Sequence, residues 1–136
     1  MLVLPQVGAL EFLQEYLTTY GTSAQYHLYQ NNITPGQATV LADFVEADFS
    51  GYAGGINAAN WSAPVIVSGH AKALANMISW THNGGGVSNN IYGYYVLAFN
   101  GALLWAERDP NAPRLMQPGS PPYQLIPALT SISEFL

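Results

Sequence analysis

The stretch Ile91-Tyr92-Gly93-Tyr94-Tyr95-Val96-Leu97-Ala98-Phe99-Asn100-Gly101-Ala102-Leu103-Leu104-Trp105-Ala106-Glu107-Arg108 reads as two apolar runs joined by Asn-Gly. Both joining residues tolerate positive φ, so Asn100-Gly101 predicts a two-residue type I′ turn, whose twist matches the flanking strands. Counting outward sets the register. Phe99 faces Ala102, Leu97 faces Leu104 and Tyr95 faces Ala106, while Val96 faces Trp105 and Tyr94 faces Glu107 on the other side. Both faces of the first strand are apolar, so it is expected inside a sheet covered on both sides. Trp105 is then a core residue, and Glu107-Arg108 form the wet end of a central hairpin.

Upstream, Val7, Leu10, Leu13 and Leu17 recur at three- and four-residue spacing, the stripe of an amphipathic helix. Pro5 suits its start and Gly21 its stop, giving a helix over about residues 6–20. Phe12, Tyr16 and Tyr20 add a second apolar row. From Ala24 the signals are β. Gln25 to Gln30 alternates, with Tyr26 and Leu28 on one face. Asn31 to Gly36 reads as a loop. Gln37 to Phe49 fits a helical turn at Val40, Leu41 and Phe44, and fits equally a short strand or extended loop from Thr39 to Val45. Asp48 to Gly55 reads as a turn or bulged edge. Trp61 to Ser68 is a strand with Pro64 near its start, which suggests a sheet edge. Leu74 to Thr81 is another, with Leu74, Ile78 and Trp80 on one face. Asn83 to Asn90 is a flexible loop. Pro110 to Pro122 is Pro-rich and extended, Tyr123 to Leu129 is a last strand interrupted by Pro127, and Ser131 to Leu136 is a tail. Six or seven short strands at this spacing predict a mainly β chain: an antiparallel β-sandwich or open barrel with one N-terminal α-helix. With 136 residues and no repeat or linker, residues 1–136 are expected to form a single domain.

Charged residues make up only 8% of the chain, against about 25% in an ordinary globular protein. Two readings follow: much of the surface is covered by copies of itself, a larger assembly or lipid, or the surface is built from Asn, Gln, Ser, Thr and Gly. Lys72, Arg108 and Arg114 are the only basic residues and the net charge is −5. Nucleic-acid binding needs a basic patch to neutralise phosphates, so a nucleic-acid partner is not expected. An anionic membrane surface is disfavoured for the same reason, and no apolar run is long enough to span a bilayer. Met1-Leu2-Val3-Leu4-Pro5 lacks the basic start of a signal peptide. The absence of cysteine excludes disulfides, a thiolate nucleophile and Cys-based metal sites. Cytosolic synthesis is expected, and a cysteine-free chain also suits a particle that survives outside cells.

Chemistry-bearing patterns are sparse. His27, His70 and His82 lack the spacing of a helical metal pair, and no His-Glu-x-x-His or Asp-x-Asp-x-Asp occurs. Glu46 and Asp48 would share a face if extended. A carboxylate pair can do glycosidase work, but a solvated loop or acceptors for turn amides explain them equally. Ser68-Gly69-His70 sets a hydroxyl beside an imidazole, yet Gly-x-Ser-x-Gly is missing and a turn is the better reading. Gly84-Gly85-Gly86 lacks the Lys-Ser/Thr of a phosphate loop. Asn32-Ile33-Thr34 and Asn60-Trp61-Ser62 match the glycosylation sequon without a secretory signal. Trp61, Trp80 and Trp105 read as core or inter-sheet residues. Tyr52, Tyr92, Tyr94 and Tyr123 could line an interface or a sugar platform, since tyrosine is amphipathic. No catalytic, cofactor-binding or metal residue is assigned.

Three segments, in this order, carry a family resemblance: Leu28-Tyr29-Gln30-Asn31-Asn32-Ile33-Thr34-Pro35, then Glu46-Ala47-Asp48-Phe49-Ser50-Gly51-Tyr52-Ala53, then Ile91-Tyr92-Gly93-Tyr94-Tyr95-Val96 with Leu103-Leu104-Trp105-Ala106-Glu107-Arg108. Together they resemble small virion structural proteins of tailed bacteriophages, including cyanophages. The resemblance spans roughly residues 5 to 130, and Pro110 to Pro122 is its least familiar part. It implies a place in the virion and brings no catalytic residues. The expectation is therefore a non-enzymatic capsid cement or decoration protein on the outer capsid surface, made in the host cytoplasm. Its partners would be the major capsid protein and copies of itself, and it would need no cofactor. The N-terminal helix and the Pro-rich segment are the candidates for touching neighbours. The alternatives are a tail, baseplate or fibre component that binds host-surface glycan, and a small-molecule-binding β-barrel.

Overall fold

A computed structural model describes residues 2–130 and 134–135. In chain order the elements are β1 (Leu2–Val3), α1 (Gln6–Tyr20), β2 (Gln25–Tyr29), a 3-10 turn (Leu41–Asp43), β3 (Ile56–Asn57), β4 (Val65–Val67), β5 (His70–Leu74), β6 (Ile78–Trp80) and β7 (Asn89–Ile91). They continue with β8 (Gly93–Leu97), β9 (Leu103–Arg108), β10 (Arg114–Met116), β11 (Tyr123–Leu125), β12 (Ala128–Thr130) and β13 (Glu134–Phe135). The fold is mainly β, with one N-terminal helix followed by antiparallel sheets, the class expected from the sequence. The helix bounds match the Pro5 and Gly21 signals, and the 37–49 stretch resolves as the 3-10 turn set in extended chain. Of the expected tail, residues 131–133 and 136 lie outside the described residues, while β13 pairs with β1.

The chain divides into two compact units, Met1–Ser23, Ala58–Ile78 and Leu125–Leu136 in one, Ala24–Asn57 and Ser79–Gln124 in the other. Each is assembled from separated segments, so no linker or composition shift marks a boundary.

In the first unit α1 lies on the sheet β12-β5-β4. Ala9 and Leu13, one helical turn apart, meet Ala71 and Ala73 of β5, with Leu10, Leu17, Trp61, Ile66 and Leu129 packed around them. Small residues on both sides let helix and strand approach closely. The buried stripe is consequently narrow and centred on Ala9-Leu13. Val7 and Phe12, expected to face apolar surroundings, are exposed. They project away from the sheet at 100° per residue. β5 alternates, with Ala71 and Ala73 toward the helix and His70, Lys72 and Leu74 outward. The expected Trp61–Ser68 strand is shorter, only Val65–Val67, and lies at the sheet edge as Pro64 suggested. The expected Leu74–Thr81 strand is two strands, β5 ending at Leu74 and β6 beginning at Ile78. Ser68 and Gly69 join β4 to β5 with φ of 52° and 81°, and Val67 pairs with His70. This is a two-residue hairpin turn with both central residues left-handed, the type I′ pattern.

The second unit is built on the sheet β3-β2-β8-β9, with β10-β7 as a separate ribbon. β8 is an inner strand and buried along most of its length, as its two apolar faces required. Tyr29, Phe44 and Tyr95 form an aromatic cluster against it, with the Phe44 and Tyr95 rings stacked 4.7 Å apart.

The hairpin register holds for Tyr94–Glu107, Tyr95–Ala106 and Val96–Trp105, then shifts: Leu97 pairs with Leu103, leaving Leu104 as an extra residue. The turn is also different from the one expected. The Gly101 amide donates to the Ala98 carbonyl at 2.9 Å, and only Gly101, at φ 86°, is left-handed. Phe99 and Asn100 are the middle of a type I turn and Gly101 the bulge residue that follows it, the usual three-residue hairpin. Phe99 therefore stands at the tip, 74% exposed, rather than opposite Ala102. Trp105, expected in the core, is half-buried, because β9 is the sheet edge and has no further strand to cover it. Its indole meets Tyr26 edge-on at 5.8 Å.

Candidate functional site

Backbone bonds from Gln30 to Val45 and from Ala47 to Leu28 lay residues 45–47 along β2. That brings Glu46 to His27: Nδ1 lies 3.1 Å from both carboxylate oxygens. Tyr95, the cross-strand partner of His27, stacks on the imidazole at 5.1 Å and donates its hydroxyl to Glu46 at 3.4 Å. Burial first, and then the nearby Glu46 charge, push the Tyr95 hydroxyl well above its ordinary range. The Tyr52 hydroxyl, accepting from the Leu28 amide, is raised first by burial as well. A carboxylate holding Nδ1 is how a catalytic imidazole is oriented. Here, however, Nε2 is buried with no hydrogen-bond partner among the described residues. It faces Gly55, where an added Cβ would come within 2.5 Å of it. The constellation fastens the 45–47 segment to β2, with Nε2 turned to the Gly55 backbone.

Asp48 turns to other partners. Its amide donates to Asn89 Oδ1 at 2.7 Å, and its carboxylate accepts from Asn89 Nδ2 at 2.9 Å and Gln30 Nε2 at 3.2 Å. Glu46 and Asp48 each serve as local acceptors. His82 Nε2 donates to the Val87 carbonyl at 2.8 Å while Nδ1 accepts from the Gly84 amide at 3.0 Å. That pattern requires the neutral tautomer. His70 lies on β5. The described residues contain no cluster of metal-ligating side chains. Ser68 and Gly69 are the hairpin turn, and Gly84 to Gly86 lie in the loop that His82 and Ser50 tie down.

One buried constellation had no sequence motif. Asp109 accepts from the Tyr123 hydroxyl at 2.7 Å, the Arg114 Nε at 2.6 Å and the Asn111 amide at 2.8 Å. Burial alone would raise its carboxyl, but the hydrogen bonds from Tyr123 and Asn111 and the Arg114 charge outweigh that and hold it below its usual range. Asp109-Pro110-Asn111, an Asx turn, is the one local signal. Arg108 folds onto Asn32 Oδ1 at 2.9 Å and the Ile33 carbonyl at 3.0 Å, above the Tyr92 ring. Two of the three basic side chains thus serve internal contacts.

The tyrosines singled out for an outer surface are mostly covered: Tyr94 and Tyr123 are buried and Tyr52 and Tyr92 half-buried. Trp80 is buried and donates to the Gly54 carbonyl at 3.2 Å. Trp61 and Trp105 are half-buried, and each lines a groove of about 500 Å³. The Trp105 groove runs between the edge strand β9 and the Pro35–Thr39 loop. The Trp61 groove lies in the first unit, between the last turns of α1 and residues 60–63. Neither is lined by an ionisable side chain.

No protein-family model, curated protein or solved structure matches the chain.

Proposed function

We propose that this chain is a non-enzymatic virion structural protein of a tailed bacteriophage, a capsid cement or decoration protein that bridges capsomers and binds the major capsid protein. The observation that carries the reading is the outer face of the β12-β5-β4 sheet. Val65, Val67 and Leu74 stand there 55%, 46% and 43% exposed, beside Lys72, the partner of Val65. Apolar residues grouped on an uncovered sheet face are what a protein surface carries where another protein sits. The chemistry-bearing clusters support the non-enzymatic part: His27-Glu46 is closed at Nε2, and Asp109 is saturated by its own neighbours. The family resemblance supports the location.

The mechanism is mechanical. Each Å² of apolar surface covered contributes about 25 cal/mol before association costs. Repetition over many capsid sites turns a modest contact into firm attachment. With a net charge of −5 the chain is suited to the outer surface and repelled by packaged DNA.

The test compares shells assembled with and without the protein. Shells lacking it are expected to release DNA at lower temperature and milder osmotic shock. Equal resistance of the two preparations overturns the proposal.

A further inference from the structure

We propose that the Trp61 groove is a binding site for a neutral saccharide, a property separate from capsid attachment. Its lining combines one indole with Gln14, Thr18, Thr22, Asn60 and Ser62, and it contains no charged group. A sugar ring offers an apolar C–H face for an aromatic and a rim of hydroxyls for amides and hydroxyls. A phosphate or carboxylate ligand would need a cation, which the lining lacks. A volume of about 500 Å³ suits one or two sugar rings.

The groove is preorganised. Trp61 Nε1 donates to the Gly21 carbonyl at 2.6 Å, and the indole packs on the Ala9-Leu13-Ala71-Ala73 cluster while lining the groove. A Cβ on Gly21 would come 3.1 Å from Trp61 Cδ1, so the helix end is shaped around the ring. Residues 59–62 are pinned on both sides of Asn60: the Asn76 amide donates to the Ala59 carbonyl at 2.9 Å, and Ser62 exchanges two bonds with Leu74. Asn60 itself is left-handed, at φ 55°, a conformation that asparagine adopts more readily than other non-glycine residues. Its exposed amide makes no hydrogen bond within the described residues and supplies one donor and one acceptor, the pair a vicinal diol needs. A fixed indole beside fixed polar groups lowers the ordering cost of binding.

The experiment is a titration of the ¹⁵N-labelled full chain with glucose, galactose and N-acetylglucosamine, following the indole Nε1–H signals. The Trp61 signal, assigned through Trp61→Phe, is expected to shift and saturate at millimolar sugar while that of Trp80 stays still. Asn60→Gly keeps the left-handed backbone and removes the amide. It is expected to raise Kd about fivefold, the loss of one hydrogen bond. Glucose 6-phosphate is expected to bind no more tightly than glucose. Dextran arbitrates the source: tighter binding than glucose points to a surface polysaccharide, equal binding to free sugar. A static Trp61 signal, an unchanged Kd in Asn60→Gly, or tighter binding of the phosphorylated sugar overturns the proposal.

Discussion

Gly93 makes room for Tyr29. The two face each other across β8 and β2, and a Cβ on Gly93 would lie 2.7 Å from the Tyr29 hydroxyl and overlap the Glu107 carbonyl oxygen. Tyr29 in turn is fully buried and donates to the Ile33 carbonyl at 3.2 Å. One missing methyl group thus lets an aromatic side chain stand beside an inner strand of the sheet. Gly93→Ala forces either the hairpin or the tyrosine to move, and overpacking of this kind costs about 1–3 kcal/mol. Urea denaturation should show that loss. Adding Tyr29→Phe, which removes the hydroxyl that the new methyl meets, should recover part of it.

Asp109 supplies a pH dependence of known sign. Its carboxyl is held below the ordinary carboxylate range in the folded chain. The stability it contributes is therefore present above the unfolded-state value and is lost as pH falls through the lower folded value. Asp109→Asn removes the charge that Arg114 meets and weakens the Tyr123 and Asn111 bonds, at a cost of about 1–3 kcal/mol at neutral pH. The difference between the two proteins should shrink as the solution is acidified. Denaturation curves across that range check both statements.

Ser68 is the opposite case, a position where the chain departs from the residue its backbone favours. Its φ is 52° in a turn whose first central position is best filled by Asn. Ser68→Asn should stabilise the first unit by about 0.5 kcal/mol or slightly more. A raised urea midpoint with unchanged slope would be the signature, and a lowered midpoint would contradict the turn assignment.

The same turn shows what could be read from residue order alone. Helix bounds were legible because Pro5 and Gly21 act locally, and three hairpin pairs were legible because the extra residue Leu104 restores, beyond the turn, the register that a two-residue Asn-Gly loop sets. The turn type was not, since Asn-Gly satisfies both the type I′ loop and the type I loop with a following left-handed glycine. The type I′ turn sits instead at Ser68-Gly69, where the dipeptide signal is weaker. Trp105 was misplaced for a non-local reason: whether β9 is an edge depends on sheet order, which the strand's own pattern does not encode. His27 and Glu46 meet across 19 residues, and the Trp61 groove joins residues 14–22 to residues 60–63. No spacing rule connects such positions.

The outer face of β4 separates attachment from stability. Val65 and Val67 point away from α1, whereas Ile66 between them packs toward it. Substitution at exposed strand positions usually changes stability by no more than about 0.5 kcal/mol. Val65→Glu with Val67→Glu should accordingly leave the denaturation midpoint close to that of the parent chain. The same change puts two carboxylates into the contact proposed for the capsid. Burying an unpaired charge costs several kcal/mol, enough to lower occupancy by orders of magnitude at each site. Co-sedimentation with purified shells should show parent protein in the pellet and the double variant in the supernatant. Ile66→Ala is the counterpart, expected to lower stability through the helix-facing core while leaving shell binding of the folded fraction intact. If the double glutamate variant pellets as the parent does, the capsid contact lies on another face.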